Sequence, residues 1–261
     1  MELQTESSQR DYSLASVRNA LRILKSFTME EPEKRMADLA KTLGVGKSTI
    51  SRLMLTLASE GFVVKDPESQ KYRLGVSLLS LSSIVTSQLD VHRESLPVLQ
   101  RIVEDINETT HVSILEGSRV TYLNTVESSH RVRFFVRVGE SNPSYCTSSG
   151  KAILAFQDEQ TLEEILSEEL VPFTKSTIIN PDQLRQNLKE IREKGYAISR
   201  SELLDGVVGI AAPIRNQSSH VFAAVSIVGP VQRMNSKNLA TYANKVKDAA
   251  NEISRRLGYK G

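Results

Sequence analysis

Two groups of residues in this chain have the types and spacing to do chemistry. The first is Lys47-Ser48-Thr49 with Ser51 and Arg52. A helix over 47–57 that turns Ile50, Leu53, Met54 and Leu57 inward leaves this polar set outward or at the helix start. A guanidinium there can grip a guanine edge through two parallel hydrogen bonds, while short hydroxyls and a lysine suit phosphates or base edges. The second group is Ser148-Ser149-Gly150-Lys151. A helix opening on those serines aims free N–H groups and hydroxyls at a carboxylate. The same four residues also fit S-x-x-K, in which a lysine tunes a nucleophilic serine. Cys146, two residues upstream, raises a thiol–imidazole pair as a further option.

Several of these options fail on their surroundings. Gly44-Val45-Gly46-Lys47-Ser48-Thr49 imitates the end of a phosphate-binding loop, but position 41 is lysine where that loop needs glycine. A buried strand should precede it, whereas Asp38-Leu39-Ala40-Lys41 reads as helix, so nucleotide hydrolysis is rejected. The S-D-N and K-T-G companions of S-x-x-K are absent, and Lys151 reads as a structural residue. His92, His111, His130 and His220 are dispersed, and only His111 lies in a strand-like run that approaches the second group. Cys146 therefore reads as a small buried residue or pocket wall. No paired His or Cys spacing offers a metal site, and no cofactor is implied.

The elements that must position the two groups follow from periodicity. Residues 1–12 read as a disordered tail. Residues 13–75 read as a winged helix-turn-helix. Ser13 caps a first helix with an apolar stripe of Val17, Leu21, Ile23, Leu24 and Phe27. Met36, Leu39, Ala40 and Leu43 share one face of a second, ended by Gly44, and Gly46 caps the third, which stops at Gly61. Phe62–Lys65 and Lys71–Leu74 then form a hairpin around Asp66-Pro67-Glu68-Ser69-Gln70. Arg35, Lys71 and Arg73 are the further basic candidates for phosphate contact. A linker helix follows over 76–89, poor in charge and suited to packing on a second subunit.

Residues 90–261 read as one α+β domain with a mainly antiparallel sheet. Pro97 is placed in the first turn of its opening helix. Strands are expected at Val112–Leu115, Val120–Val126 and Val132–Val138. Helices follow at Ser148–Phe156, Leu162–Glu169 and Asp182–Lys194. Tyr196–Arg200, Val208–Ile214 and Phe222–Ile227 return as strands, and a last helix runs from Ser236 to Leu257.

Composition bounds what such a protein does. The 261 residues carry a formal charge of only +2, yet residues 34–58 hold five Lys or Arg against Asp38 alone. A basic module on a neutral body is the charge plan of a site-specific binder of double-stranded DNA. No apolar run approaches the ~20 residues of a membrane span. A single cysteine and the lack of a signal-peptide core at the start point to the cytoplasm.

Three stretches extend the reading. Leu43-Gly44-Val45-Gly46-Lys47-Ser48-Thr49-Ile50-Ser51-Arg52-Leu53 is one. Thr147-Ser148-Ser149-Gly150-Lys151-Ala152-Ile153-Leu154-Ala155 is the second. The third joins Gly195-Tyr196-Ala197, Glu202, Gly206 and Ile210-Ala211-Ala212-Pro213-Ile214, continued by Ala224–Pro230. Together they make the chain resemble the IclR family of bacterial transcriptional regulators from about Ser13 to Leu257. The resemblance implies a C-terminal effector domain of GAF-like fold, dimers or dimers of dimers on a pseudo-palindromic operator, and a small organic acid or aromatic effector. It places Ser148 and Ser149 where the family's ligand meets backbone amides. Ser199, Gly209, Ser226 and Val228 fall on the opposite wall, and Phe134 and Val207 on the apolar side. Ser199 and Val228 depart from the glyoxylate-type members, which implies a different ligand here. The competing expectation is an enzyme, a Ser/Lys or Cys hydrolase on a DNA-binding tether.

Overall fold

The computed structural model describes residues 14–135 and 137–261, so the predicted tail and the Ser13 cap lie outside the described residues. The chain forms two compact units that divide between Gln88 and Leu89.

The first unit runs α1 (Ala15–Ser26), β1 (Glu33–Lys34), α2 (Met36–Leu43), α3 (Lys47–Ser59), β2 (Val63–Lys65), β3 (Tyr72–Leu74) and α4 (Ser77–Gln88). Gly44 ends α2 in the left-handed region at φ 65°, and Gly46 precedes α3 in extended geometry, which sets the tight turn between the two helices. Ile23, Leu39, Ile50 and Met54 are completely buried, each contributing about 1.5–3 kcal/mol of apolar transfer free energy. On α1 the inward stripe is Ala20, Ile23, Leu24 and Phe27. Val17 and Leu21, expected inward, are about half exposed because they lie on the flank of that stripe. The hairpin gains a strand the sequence did not reveal: two-residue β1 pairs antiparallel with β3, giving the order β1-β3-β2.

The second unit runs α5 (Asp90–Ile106), β4 (Thr109–Glu116), β5 (Arg119–Val126), β6 (Ser141–Pro143), a 3-10 turn (Ser144–Cys146), α6 (Ser148–Leu154), α7 (Glu159–Leu166), α8 (Pro181–Lys194), β7 (Ala197–Arg200), β8 (Val207–Arg215), β9 (Val221–Pro230) and α9 (Ser236–Arg256). The six strands form one antiparallel sheet in the order β6-β5-β4-β9-β8-β7. Alternation along the strands divides their side chains between two faces. Val112, Ile210, Val225 and Ile227 pack with Leu99, Val246 and Ile253 of α5 and α9. Ala197, Ala211 and Ala224 lie on the other face, with Ile153, Leu154, Leu184 and Leu188 of α6 and α8. The small alanines let α6 approach the sheet closely.

Two expectations fail here. Val132–Val138 contains no strand among its described residues. The outer edge of β5 is already occupied: Gly139 N–H donates to Tyr122 O, Tyr122 N–H donates to Glu140 O, and Ser141–Pro143 continues the pairing. Pro97 sits inside α5, not in its first turn, because the helix begins at Asp90. Pro97 has no N–H to give Arg93 O, and the turn before it is tied to β5 by Asn124, whose amide donates to His92 O at 2.5 Å and to Ser95 Oγ at 2.8 Å.

Candidate functional site

The first candidate surface is α3. Ile50, Met54 and Leu57 are buried against the unit's core, while Lys47, Ser48, Thr49 and Arg52 are exposed and Ser51 is half-buried. The helix has no side-chain cap, so its leading N–H groups remain available near Lys47 and Ser48. Arg35 is exposed at the start of α2, and Arg73 is exposed on β3. Lys71 is held 3.4 Å from Glu33 across the β1–β3 pair. The wing turn is set by Asp66, whose carboxylate accepts from Ser69 N–H at 2.6 Å; that bond lowers the Asp66 carboxyl below its ordinary value. The segment before the Gly44–Thr49 run is helix α2, which excludes a phosphate-binding loop at that place.

The second is a cavity of about 410 Å³, counted to its open mouth, within the second unit. Phe134, Ser148, Ser149, Ser199, Val207, Gly209 and Val228 all line it. Ser226, the eighth residue named from the sequence, does not line it; it sits on β9 directly opposite His111 of β4. His111, the one histidine whose strand-like run approaches the second group, lines it as well, whereas sequence reasoning missed Tyr122, Thr147, Leu203 and Leu204. Leu203 and Leu204 fall in the irregular turn between Glu202 and Gly206, where apolar residues have no period to betray them.

The cavity has a polar end and an apolar wall. At the polar end Thr147 caps α6, its Oγ1 accepting from Gly150 N–H at 3.1 Å, and Thr147 O accepts from Lys151 N–H. The N–H groups of Ser148 and Ser149 precede any intrahelical acceptor, and Ser149 Oγ is buried without a partner. Gly209 faces this end: a Cβ there would stand 2.5 Å from Ser148 Oγ, so only glycine leaves room for the hydroxyl. Ser199 Oγ is committed to Cys146 O at 3.0 Å. The apolar wall is Tyr122 and Val228 with Phe134 and Val207 packed on them.

Lys151 does not serve Ser148. Its ammonium is 2.6 Å from Glu202 Oε1 and 2.9 Å from Ile198 O, and both charged side chains are buried. This ion pair ties α6 to β7 and to the turn that carries Leu203 and Leu204. Burial raises the Glu202 carboxyl above its ordinary value despite the adjacent ammonium. Burial also pushes the Cys146 thiol up to about 12 and the His111 imidazole down to about 3. A neutral thiol and a neutral imidazole on one cavity wall are the reverse of an activated pair. Among the described residues no three His, Cys, Asp or Glu side chains cluster to hold a metal, and no helix is long and apolar enough to cross a membrane.

A helix-turn-helix with a three-stranded wing, followed by an α+β unit holding a cavity with one polar end, defines a DNA-binding regulator with an effector domain. The chain belongs to the IclR family. Residues 16–67 match the IclR helix-turn-helix domain, and residues 83–255 match the bacterial transcriptional regulator IclR C-terminal domain. The chain is similar to the HTH-type transcriptional regulator XynR of Escherichia coli, with 31% identity over 94% of this chain and 98% of that one. The IclR regulator of Alicyclobacillus acidocaldarius superposes with a TM-score of 0.84 at 30% identity, over 95% of this chain and 100% of that one. An IclR homologue of Microbacterium hydrocarbonoxydans, solved in complex with 4-hydroxybenzoate, superposes with a TM-score of 0.83 at 26% identity, over 93% and 99%.

Proposed function

We propose that this regulator reads its operator with the exposed front of α3 and is controlled by a small organic acid in the cavity of the second unit. The observation that carries the DNA half is the division of α3 into a fully buried apolar back and an exposed Lys47-Ser48-Thr49-Arg52 front. Arg52 reads a guanine edge, and Ser51 supports it. Arg35, Lys71 and Arg73 take flanking phosphates; Lys71 must first exchange its pairing with Glu33. Arg52→Ala should weaken binding to a duplex selected from a random pool by the wild-type protein about 10- to 100-fold, and binding to unselected DNA far less. Fluorescence anisotropy on both duplexes checks this. Equal loss on the two would place Arg52 on phosphate.

In the effector half, the carboxylate meets the N–H groups of Ser148 and Ser149, and the apolar body lies on Phe134, Val207 and Val228. The homologue holding 4-hydroxybenzoate supports an acid of that size. The effector acts through its preference for one arrangement of the recognition helices, typically ~1–3 kcal/mol of coupling. The protein works by binding and not by turnover: Lys151 is committed to Glu202, and Cys146 is held as a neutral thiol.

Self-association uses α4. Leu81, Ile84 and Val85 are each about half exposed and share one helix face, with Leu79 exposed as well. Leu81→Glu should turn dimers into monomers by light scattering and lower operator affinity at least about tenfold, since two half-sites no longer bind as one unit. An unchanged mass would move the dimer contact elsewhere.

A further inference from the structure

The cavity has a second polar element that the effector reading leaves without a task. His111 lines it from β4, is buried, and packs edge-on against Tyr122 with ring centroids 4.8 Å apart. His111 Nδ1 has no hydrogen-bond partner, and neither does Ser226 Oγ directly opposite it on β9. A buried polar atom left unpaired is costly, and native proteins keep few of them. Two such atoms side by side, next to a cavity, mark a place where a bound molecule supplies the missing partner.

The position of His111 says which part of that molecule it meets. The start of α6 lies over β8, where Ser148 Oγ faces Gly209. His111 is on β4, and β9 lies between the two strands. Two strand spacings, roughly 10 Å, therefore separate the poles across the sheet. Val228, Tyr122 and Phe134 supply apolar surface beside them. An uncharged imidazole cannot offset a second carboxylate, but it can donate to or accept from a hydroxyl.

We propose that His111 is the specificity-determining contact of the cavity, and that the effector is an organic acid bearing a hydroxyl at the end remote from its carboxylate. The assignment rests on the cavity being the effector site. Tyr122 positions the imidazole, and its own hydroxyl is engaged by Asn142 at 3.1 Å.

Calorimetric titration of the full-length protein with matched acids tests this: benzoate against 4-hydroxybenzoate, and hexanoate against 6-hydroxyhexanoate. Wild type should prefer the hydroxylated member of at least one pair by about tenfold. His111→Phe, which keeps an aromatic ring against Tyr122, should lose that preference. Its ligand-free melting temperature should match or exceed that of wild type, because an unpaired buried nitrogen is gone. A merely structural histidine would give a lower melting temperature and unchanged selectivity. Nitrogen-15 spectra of wild-type His111 provide a reading that needs no variant: its ring resonances should move with the hydroxylated acid and much less with the parent. Binding of a parent acid with no hydroxyl preference, or a preference that survives in His111→Phe, overturns the role of His111 and leaves the effector reading standing. Failure of all four acids to bind wild type overturns both.

Discussion

Replacing Lys151 with alanine should lower the stability of the second unit by about 3–5 kcal/mol, read as a large drop in its urea midpoint. The ammonium is buried and makes two hydrogen bonds, to Glu202 Oε1 and Ile198 O. Its removal leaves the Glu202 carboxylate buried without its cationic partner, and the Glu202 Oε2 atom already lacks a hydrogen bond. The deficit should depend on pH with a definite sign. The Glu202 carboxyl is raised above its ordinary value by burial even with the lysine present. Without the lysine it rises further, so the folded variant holds a proton that the unfolded chain releases. Stability then falls as pH increases through the folded value and is regained on acidification. A double variant, Lys151→Met with Glu202→Leu, should lie near wild type, since an apolar pair of similar volume avoids the desolvation cost. Denaturant titrations of wild type and the two variants at two pH values check this. A Lys151→Ala deficit of the same size at pH 5 and pH 7.5 would mean the charge is not what matters.

Part of the site could be read from the sequence and part could not, according to whether a local rule or the tertiary fold sets the residue's place. Ser148 and Ser149 are legible because a local rule governs them, two hydroxyls at a helix start; Gly209 came only with the family resemblance, and its reason, Ser148 Oγ too close for a Cβ, is a tertiary one. The α3 face is legible because one helix period divides Ile50, Met54 and Leu57 from Lys47, Ser48 and Arg52. His111 carries a weaker signal: its strand-like run set it apart from the other three histidines but gave it no role. A lone histidine in a strand resembles any core residue until the register sets it opposite Ser226 and beside Tyr122. Ser226 and Val228 share a face of β9 by the two-residue period, so no local rule tells which of them reaches the cavity. Position along the strand decides: Val228 is opposite Gly209, while Ser226 is opposite Ala211 on one side and His111 on the other. Val132–Val138 failed for the opposite reason. Its alternation is genuine, but the edge it would pair with is taken by Gly139–Pro143. Competition for a strand edge is a tertiary fact.

Gly150→Ala should be damaging where helix propensity alone says it should help. In an exposed helix interior this exchange gains about 1 kcal/mol. At position 150 a Cβ would lie 2.0 Å from Ser144 O and 2.4 Å from Ser144 Cα, both backbone atoms that cannot rotate aside. Ser144 is itself fixed, with its N–H and its hydroxyl both donating to Ser118 O, at 3.0 and 2.8 Å. Relief therefore requires α6 or the 3-10 turn to shift by an ångström or more. Overpacking of this kind costs about 1–3 kcal/mol, or roughly 2–12 °C in the melting temperature of a unit this size. Cys146, Thr147, Ser148 and Ser149 lie on the segment that must move, so affinity for an acid effector should fall with stability. Gly46→Ala is the matching control: nothing stands within 4 Å of a Cβ there, so effector affinity should be unchanged. Calorimetric melting and acid titration of the two variants separate the outcomes. A Gly150→Ala protein as stable as wild type would mean that α6 does not approach the Ser144 turn as closely as it does here.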